Sequence, residues 1–244
     1  MLRFSAGCVV VLLSVVATAS SRSQRVVERD IWVPPPPLHP CVVPELAGHV
    51  FESGLVPGGV EYLPGRCGEM KATATGERTN LRGSTVSEAL NRLMQSDPRY
   101  RWEERDGVFV VRPLDAWNDR SHFLHRTISL AFTDQNVGGA LFAVLTAIGP
   151  TRFVGEPRTY NTPDMNRQFS VALGTTPALD GLNAVVRTHG RLKWSVSFCQ
   201  PQRRVDSANL MLHTYDGGGL GGQPVGFVTD ESGRSYNPCT TPPR

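Results

Sequence analysis

Apolar residues along the chain alternate between helical and strand-like spacing. Helical spacing predicts amphipathic helices near residues 44–54, 85–96, 136–148 and 177–189. Strict alternation predicts strands near residues 60–63, 78–82, 100–112, 127–133, 167–173 and 192–198. This order of elements predicts an α+β protein, with helices packed on small mixed sheets.

One pattern of this kind occurs twice, at Leu81–Trp102 and at Leu173–Trp194, 92 positions apart. The two stretches align without a gap and share apolar, amide, basic and aromatic positions: Leu81/Leu173, Leu90/Leu182, Asn91/Asn183, Arg99/Arg191 and Trp102/Trp194. The repeat predicts two tandem modules of β-α-β-β-α-β type. We place the first at residues 41–113 and the second at 122–215, joined by a short linker at 114–121.

Local signals set the expected ends of the repeated helices. Thr85 and Glu88 form a capping box, in which each side chain satisfies an unpaired backbone N–H of the other residue. In the second copy, Thr176 is the expected N-cap, with Pro177 as the first helical residue. Asp106-Gly107 predicts a tight hairpin turn after the first repeated helix.

The first 19 residues have the pattern of a secretory signal peptide. Arg3 supplies the positive charge, an apolar run covers residues 6–16, and Ala17-Thr18-Ala19 gives a small-x-small cleavage signal. We expect cleavage between Ala19 and Ser20. The apolar run is shorter than the roughly 20 residues that span a bilayer. The expected mature form is periplasmic or secreted, with no membrane span.

Proline and glycine mark the two ends of the remaining chain. Residues 20–40 contain four consecutive prolines at positions 34–37 and predict an extended linker. Residues 216–244 form a Gly/Pro-rich tail. The glycine run in this tail is not followed by a helical pattern, so it does not predict a phosphate-binding loop.

Charge and cysteine content narrow the class of protein. The formal net charge is only +3, and loss of Arg3 with the signal peptide lowers it further, which argues against a nucleic-acid partner. Four cysteines remain after processing: Cys41, Cys67, Cys199 and Cys239. In an oxidising compartment they predict two disulfides, with three connectivities open. Local pairing of the first two and of the last two would tie each irregular end to its own module.

The repeated motif resembles a known domain family. Its pattern is L-x-G-x-T-V-x-x-A-L-x-x-L, followed by an aromatic strand and an acidic-Gly turn, carried by Leu81, Gly83, Thr85, Val86, Ala89, Leu90, Leu93, Tyr100, Trp102, Asp106 and Gly107. This pattern resembles the secretin and TonB short N-terminal domain (STN) family. The second copy departs from it at Pro177 and Gly181. The resemblance implies two tandem periplasmic modules without an attached barrel, which contact other proteins and carry no catalytic residues.

The sequence predicts no catalytic, cofactor-binding or metal-binding residue. Of six histidines, only His122 and His125 have a paired spacing, and on a strand they would point to opposite faces. A G-x-S-x-G nucleophile turn is missing from the sequence. Because triad residues converge only in space, a small secreted hydrolase stays an alternative. A protein that binds a small ligand in the cleft between the modules is another.

These observations predict an exported, non-enzymatic interaction or binding module of the bacterial envelope, serving transport, secretion or signalling. Its partners would be other envelope proteins. Trp32 and Trp117 fall in the predicted linkers, where an aromatic side chain marks a candidate interaction surface. Exposed sheet edges offer a second route, since an extended partner segment can add a strand to them.

Overall fold

The computed structural model describes residues 22–36, 38, 41–64, 77–149, 162–198 and 208–215, together with two short strands at 228–229 and 235–236. The predicted signal peptide and its cleavage site at Ala19 and Ser20 lie outside this part of the chain, as does most of the Gly/Pro-rich tail. The two short strands, Val228–Thr229 and Ser235–Tyr236, pair antiparallel within the tail.

The first half of the chain supplies two helices and five strands. In chain order they are β1 (Trp32–Val33), α1 (Val42–Gly54), β2 (Gly58–Glu61), β3 (Thr79–Asn80), α2 (Val86–Ser96), β4 (Tyr100–Arg105) and β5 (Val108–Pro113). The second half continues with α3 (Leu114–Asn118), β6 (Thr127–Gln135), α4 (Val137–Ile148), α5 (Pro163–Asn166), β7 (Phe169–Pro177), α6 (Ala178–His189), β8 (Leu192–Phe198) and β9 (Ala208–Thr214). The tail strands are β10 and β11. The predicted α+β class is confirmed.

A five-stranded mixed sheet lies at the centre of the fold, in the order β4-β5-β2-β8-β9. The short strand β2 is parallel to both of its neighbours, β5 and β8. The two outer pairs, β4–β5 and β8–β9, are antiparallel hairpins. A hairpin therefore begins at the end of each repeated segment, and the two hairpins flank β2.

Two independent tandem modules are not confirmed, because strands from both predicted modules lie in this one sheet. The shared strand β2 is buried along its length. Its first two residues are glycines for a steric reason: a Cβ at Gly58 would overlap the ring of Phe51, and one at Gly59 would overlap the indole of Trp194. Side chains from both halves of the chain thus pack directly onto the β2 backbone.

Two hydrophobic cores lie on opposite faces of the five-stranded sheet. Helices α1 and α2 cover one face, where Val60, Phe109 and Val111 point into the core. Helices α4 and α6 cover the other face, where Val108, Val110 and Trp194 point. Strands β6 and β7 form a separate two-stranded sheet, which we call the ribbon, and the ribbon packs against α4 and α6.

The segment predicted as a Pro-rich linker packs on the core beneath α1 and α2. Val27, Ile31 and Val33 are buried in the structure, and β1 pairs antiparallel with β3. The backbone N–H of Val27 donates to the carbonyl of Ser84 at 2.8 Å. The alternation of these three apolar residues is that of a half-buried extended segment, so they contribute to the core rather than span a gap.

The predicted helix signals are confirmed in the first copy and differ in the second. Thr85 Oγ1 accepts from the backbone N–H of Glu88 at 3.3 Å, and Glu88 Oε2 accepts from that of Thr85 at 2.8 Å. In the second copy Thr176 is not the N-cap, because β7 continues through Pro177. The N–H of Ala178 donates instead to the carbonyl of Arg126 at 2.8 Å. The backbone carbonyl of Arg126, the residue before β6, thus replaces a side-chain cap.

Candidate functional site

The ribbon has one buried face and one exposed face. Its inner face carries Ile128, Leu130, Phe169 and Val171, which are buried against α4 and α6. Its outer face is exposed and carries small, uncharged side chains: Ser129, Ala131, Thr133, Ser170, Ala172 and Gly174. Among the described residues, neither strand of the ribbon pairs with a third strand. A two-stranded sheet is stable when it packs against helices, as the ribbon does, and an unpaired strand edge can accept a further strand.

The hydrogen-bond pattern of the ribbon identifies backbone groups on its open edge. The bond from Ala178 N–H to the carbonyl of Arg126 comes just before the first opposed pair, Thr127 with Pro177. Opposed residues in an antiparallel sheet alternate between hydrogen-bonded and non-bonded pairs. The Thr127/Pro177 pair is therefore non-bonded, as the missing N–H of proline requires. Two positions further along β6, the backbone N–H and C=O of Ser129 point away from β7.

The open edge of β6 differs from the edge strand β4 of the large sheet. Strand β4 carries four charged residues: Arg101, Glu103, Glu104 and Arg105. Charged side chains on an edge strand discourage the addition of another strand. In β6 the one charged residue is Asp134, near the far end of the strand. The edge of β6 beside Ser129 thus lacks this protection.

A buried polar cluster lies on the face of the large sheet that α4 and α6 cover. Its centre is Arg112, a fully buried residue of β5. Nε of Arg112 donates to Oε2 of Glu61 at 2.6 Å, and Nη2 donates to the carbonyl of Ala116 at 3.1 Å. Nη2 also lies 3.2 Å from Nδ1 of His122, and Nη1 lies 3.2 Å from Nε2 of His125. Residues from β2, β5 and the chain after β5 therefore meet at one guanidinium.

The donors in this cluster define which imidazole nitrogens carry hydrogen. A guanidinium can only donate, so Nδ1 of His122 and Nε2 of His125 must both accept. Nδ1 of His122 also accepts from the backbone N–H of Leu124 at 3.2 Å. Nε2 of His122 lies 2.9 Å from Oε1 of Glu61 and donates to it. In this geometry the imidazole of His125 is neutral.

The pKa values follow from the same surroundings. Burial and the positive charge of Arg112 lower the pKa of His125. Burial acts to raise the pKa of Glu61, but the hydrogen bond from His122 and the charge of Arg112 outweigh it, and the net pKa is lowered. The cluster therefore favours a charged carboxylate and a neutral His125.

A second polar cluster lies on the opposite face of the sheet, beneath α1. Lys193 of β8 is buried and donates to Oε1 of Glu52 on α1, and it lies 3.4 Å from the carbonyl of Gly48. Nδ1 of His49 lies 3.5 Å from Oε2 of Glu52. Burial acts to raise the pKa of Glu52, but His49 and Lys193 lower it to about 2. This ion pair joins a helix of the first half to a strand of the second.

The pair Ser195 and His213, next to this cluster, bears on the hydrolase alternative. Oγ of Ser195 and Nε2 of His213 are 2.8 Å apart, the separation of a nucleophile and its base. Ser195 is only 1% exposed, however. Burial and the charge of Lys193 lower the pKa of His213 to about 3. A group with so low a pKa is a weak base at neutral pH, so this geometry does not favour the hydrolase.

Trp32 and Trp117, which the sequence suggests as an interaction surface, lie on different elements, β1 and α3. Trp32 on β1 is 51% exposed. Trp117 on α3 is half-buried, and its ring centre lies 5.0 Å from the Cζ of Arg112 and 5.3 Å from that of Arg101. Cys41 is buried just before α1, whereas Cys67, Cys199 and Cys239 lie outside the described residues. The predicted disulfides therefore stay predictions.

The charged residues of both clusters are not among the site residues that the sequence predicts. Glu61, Arg112 and Lys193 each stand within or beside an apolar strand pattern, and this position is the signal that could have found them. The paired spacing of His122 and His125 does identify two residues that lie close together. They lie before β6, not in it, and both imidazoles contact the guanidinium of Arg112. No group of acidic, histidine or cysteine side chains within the described residues is arranged to hold a metal ion.

In the same part of the chain, no helix has the length and apolarity to cross a membrane. Comparison with family models, with curated proteins and with solved structures found no match to this chain.

Proposed function

We propose that this protein is an exported, non-enzymatic interaction module of the bacterial envelope, and that it binds an extended segment of a partner envelope protein along the open edge of β6. The observation that carries the proposal is the direction of the Ser129 backbone groups, which point away from β7. The role in an envelope assembly for transport, secretion or signalling rests on the sequence, through the predicted signal peptide and the resemblance to the STN family.

Strand addition suits this edge for three reasons. The strand is nine residues long, so a partner segment of ordinary strand length can pair with it. Its inner side chains are fixed by the core formed with α4 and α6, so the edge is already ordered before binding. Its outward N–H and C=O groups at Ser129 supply the main-chain hydrogen bonds on which this mode of recognition depends.

The experiment compares the wild-type mature chain with Ser129→Pro and Ser129→Ala as baits in an envelope extract, followed by mass spectrometry of captured proteins. Proline removes the outward N–H of residue 129 without removing a hydrogen bond between β6 and β7. Alanine removes the hydroxyl and keeps the N–H. We expect wild type and Ser129→Ala to capture the same protein, and Ser129→Pro to lose at least 10-fold of it, since one lost hydrogen bond and a blocked edge are worth about 1.4 kcal/mol or more.

The circular dichroism spectrum and unfolding midpoint of each bait provide the control for folding. Equal capture by Ser129→Pro and wild type, with both baits folded, would show that partners bind elsewhere. Turnover of esters or peptides by the wild-type chain, with no specific capture, would instead support the hydrolase alternative.

A further inference from the structure

The chain between β5 and β6, residues 114–126, is held on the large sheet by the Arg112 cluster. We call this segment the connector. Three of its acceptors face the guanidinium of Arg112: the carbonyl of Ala116, Nδ1 of His122 and Nε2 of His125. The fourth acceptor, Glu61, comes from β2. Three hydrogen bonds of the connector therefore depend on one permanent cation.

His125 is the member of this set that solvent can reach. It is intermediate in exposure, whereas Glu61, Arg112 and His122 are buried. The ionisable groups that face it are the guanidinium of Arg112, the imidazole of His122 and the carboxylate of Glu61, and its ring is also hydrogen-bonded to the backbone of Asp119. A second cation, Arg101, also lies over the ring of Trp117, with its Cζ 5.3 Å from the ring centre.

Protonation of His125 is incompatible with the closed arrangement. Nε2 of His125 accepts from Nη1 of Arg112 at 3.2 Å. A proton on this nitrogen removes an acceptor from a buried guanidinium and places a second positive charge beside it. Both effects are costly beside a buried guanidinium.

We propose that the connector is a pH-sensitive latch: a proton on His125 detaches residues 114–126 from the sheet while the rest of the fold stays assembled. The connector contributes Phe123, Leu124 and Trp117 to the core on the α4/α6 face, but the pairings of β2 with β5 and β8 and the remaining residues of both cores do not involve it. Glu61 stays as the charged partner of Arg112 after the connector opens.

The expected size of the pH effect on connector opening follows from the titration of the His125 imidazole alone. In the open connector His125 is solvated, and a free imidazole has a pKa of about 6.5. If the closed form excludes the proton, the opening equilibrium rises about 30-fold between pH 7.5 and pH 5. The carboxylates titrate mainly below this window, so the two ranges can be measured apart.

Hydrogen exchange with peptide resolution tests the latch on the mature protein. Amides of the connector should exchange about 30-fold faster at pH 5 than at pH 7.5, after correction for the intrinsic pH dependence of exchange. Amides of α2 and β8 should show no such change. Equal corrected rates in the connector at the two pH values would overturn the proposal, as would an equal increase throughout the chain.

Two substitutions at His125 should act in opposite directions. His125→Gln keeps a neutral acceptor near Arg112 and cannot be protonated, so its connector should stay closed at pH 5. His125→Lys places a cation there permanently, so its connector should already be open at pH 7.5. An acid-induced opening in His125→Gln equal to that in wild type contradicts the role of His125, whether or not His125→Lys folds.

Discussion

Trp194 donates its indole N–H to Oδ1 of Asn183 at 3.0 Å. The same bond joins Trp102 to Asn91 at 2.9 Å in the first copy of the repeat. The equivalent residues of the two copies therefore make equivalent contacts, each between the middle of a helix and the strand that follows it. The repeat in the sequence is a repeat in structure at the level of one helix and one hairpin.

The two bonds differ in burial, and this difference predicts unequal effects of substitution. Asn183→Ala leaves the N–H of a fully buried indole without a partner, so it should lower the free energy of unfolding by about 2 kcal/mol. Asn91→Ala should cost roughly 0.5 kcal/mol, because the half-buried Trp102 can donate to water. Urea unfolding of both variants measures the difference. Equal losses would mean that burial does not set the contribution of this bond.

Gly59→Ala should be among the most destabilising single changes in the chain. Its Cβ would overlap the buried indole of Trp194 at the centre of the sheet. Overpacking of this kind costs about 3 kcal/mol, and the soluble yield should fall with it. Gly174→Ala is the matched control on β7, where an added Cβ meets no atom within 4 Å. The control should change the urea midpoint little, and a large loss there would show that the sheets respond to any added methyl group.

The capping box of α2 predicts a smaller, local effect. Thr85→Ala removes the oxygen that accepts from the N–H of Glu88, and loss of an N-cap costs about 1 kcal/mol. Thr85→Ser keeps the acceptor and should retain most of the stability. Thermal unfolding followed by circular dichroism distinguishes the two variants. The interpretation fails if serine and alanine lower the midpoint equally.

The Glu52–Lys193 pair predicts how stability depends on acid. The pKa of Glu52 is about 2 in the folded protein and is ordinarily 4.5. Its contribution is therefore present above about pH 4.5 and is lost as the pH falls toward 2. The shift corresponds to about 3 kcal/mol of free energy of unfolding. Urea unfolding at pH 6, 4 and 3 should show this decline in the wild type.

Two variants of α1 isolate the contribution of Glu52. Glu52→Gln should show a shallower decline with acid, although it is less stable at every pH because Lys193 loses its carboxylate partner. Glu45→Gln, on the same helix, should keep the full decline, because burial raises the pKa of Glu45 rather than lowering it. Parallel pH profiles for wild type and Glu52→Gln would contradict the assignment.

Local features of the fold could be predicted from the sequence because their determinants lie close together in the chain. Each of three features depends on residues of a single helix or a single turn: the apolar stripe of α4, the capping box at Thr85 and the hairpin turn at Asp106-Gly107. Four consecutive prolines after the N-terminal segment favour a linker there. The alternation of Val27, Ile31 and Val33 favours a half-buried strand instead, and the structure buries these three residues in the core beneath α1 and α2.

The sheet order and the polar clusters could not be predicted, because they depend on contacts between distant residues. Strand β2 pairs with β8, more than 130 positions later in the chain, and short strands carry no information about which neighbour they take. Glu61 and Arg112 meet across 51 positions. The direction of the Ser129 backbone groups likewise depends on register, which only the assembled ribbon defines.

Strand β2 makes the two halves of the chain depend on each other. The second half contributes a hairpin on one side of β2 but takes its central strand from the first half. The two halves therefore share β2, and we expect that neither half folds alone. If the backbone is cut within residues 114–121, we expect two fragments that fold only in each other's presence, so that the site should suit a split reporter better than a domain boundary.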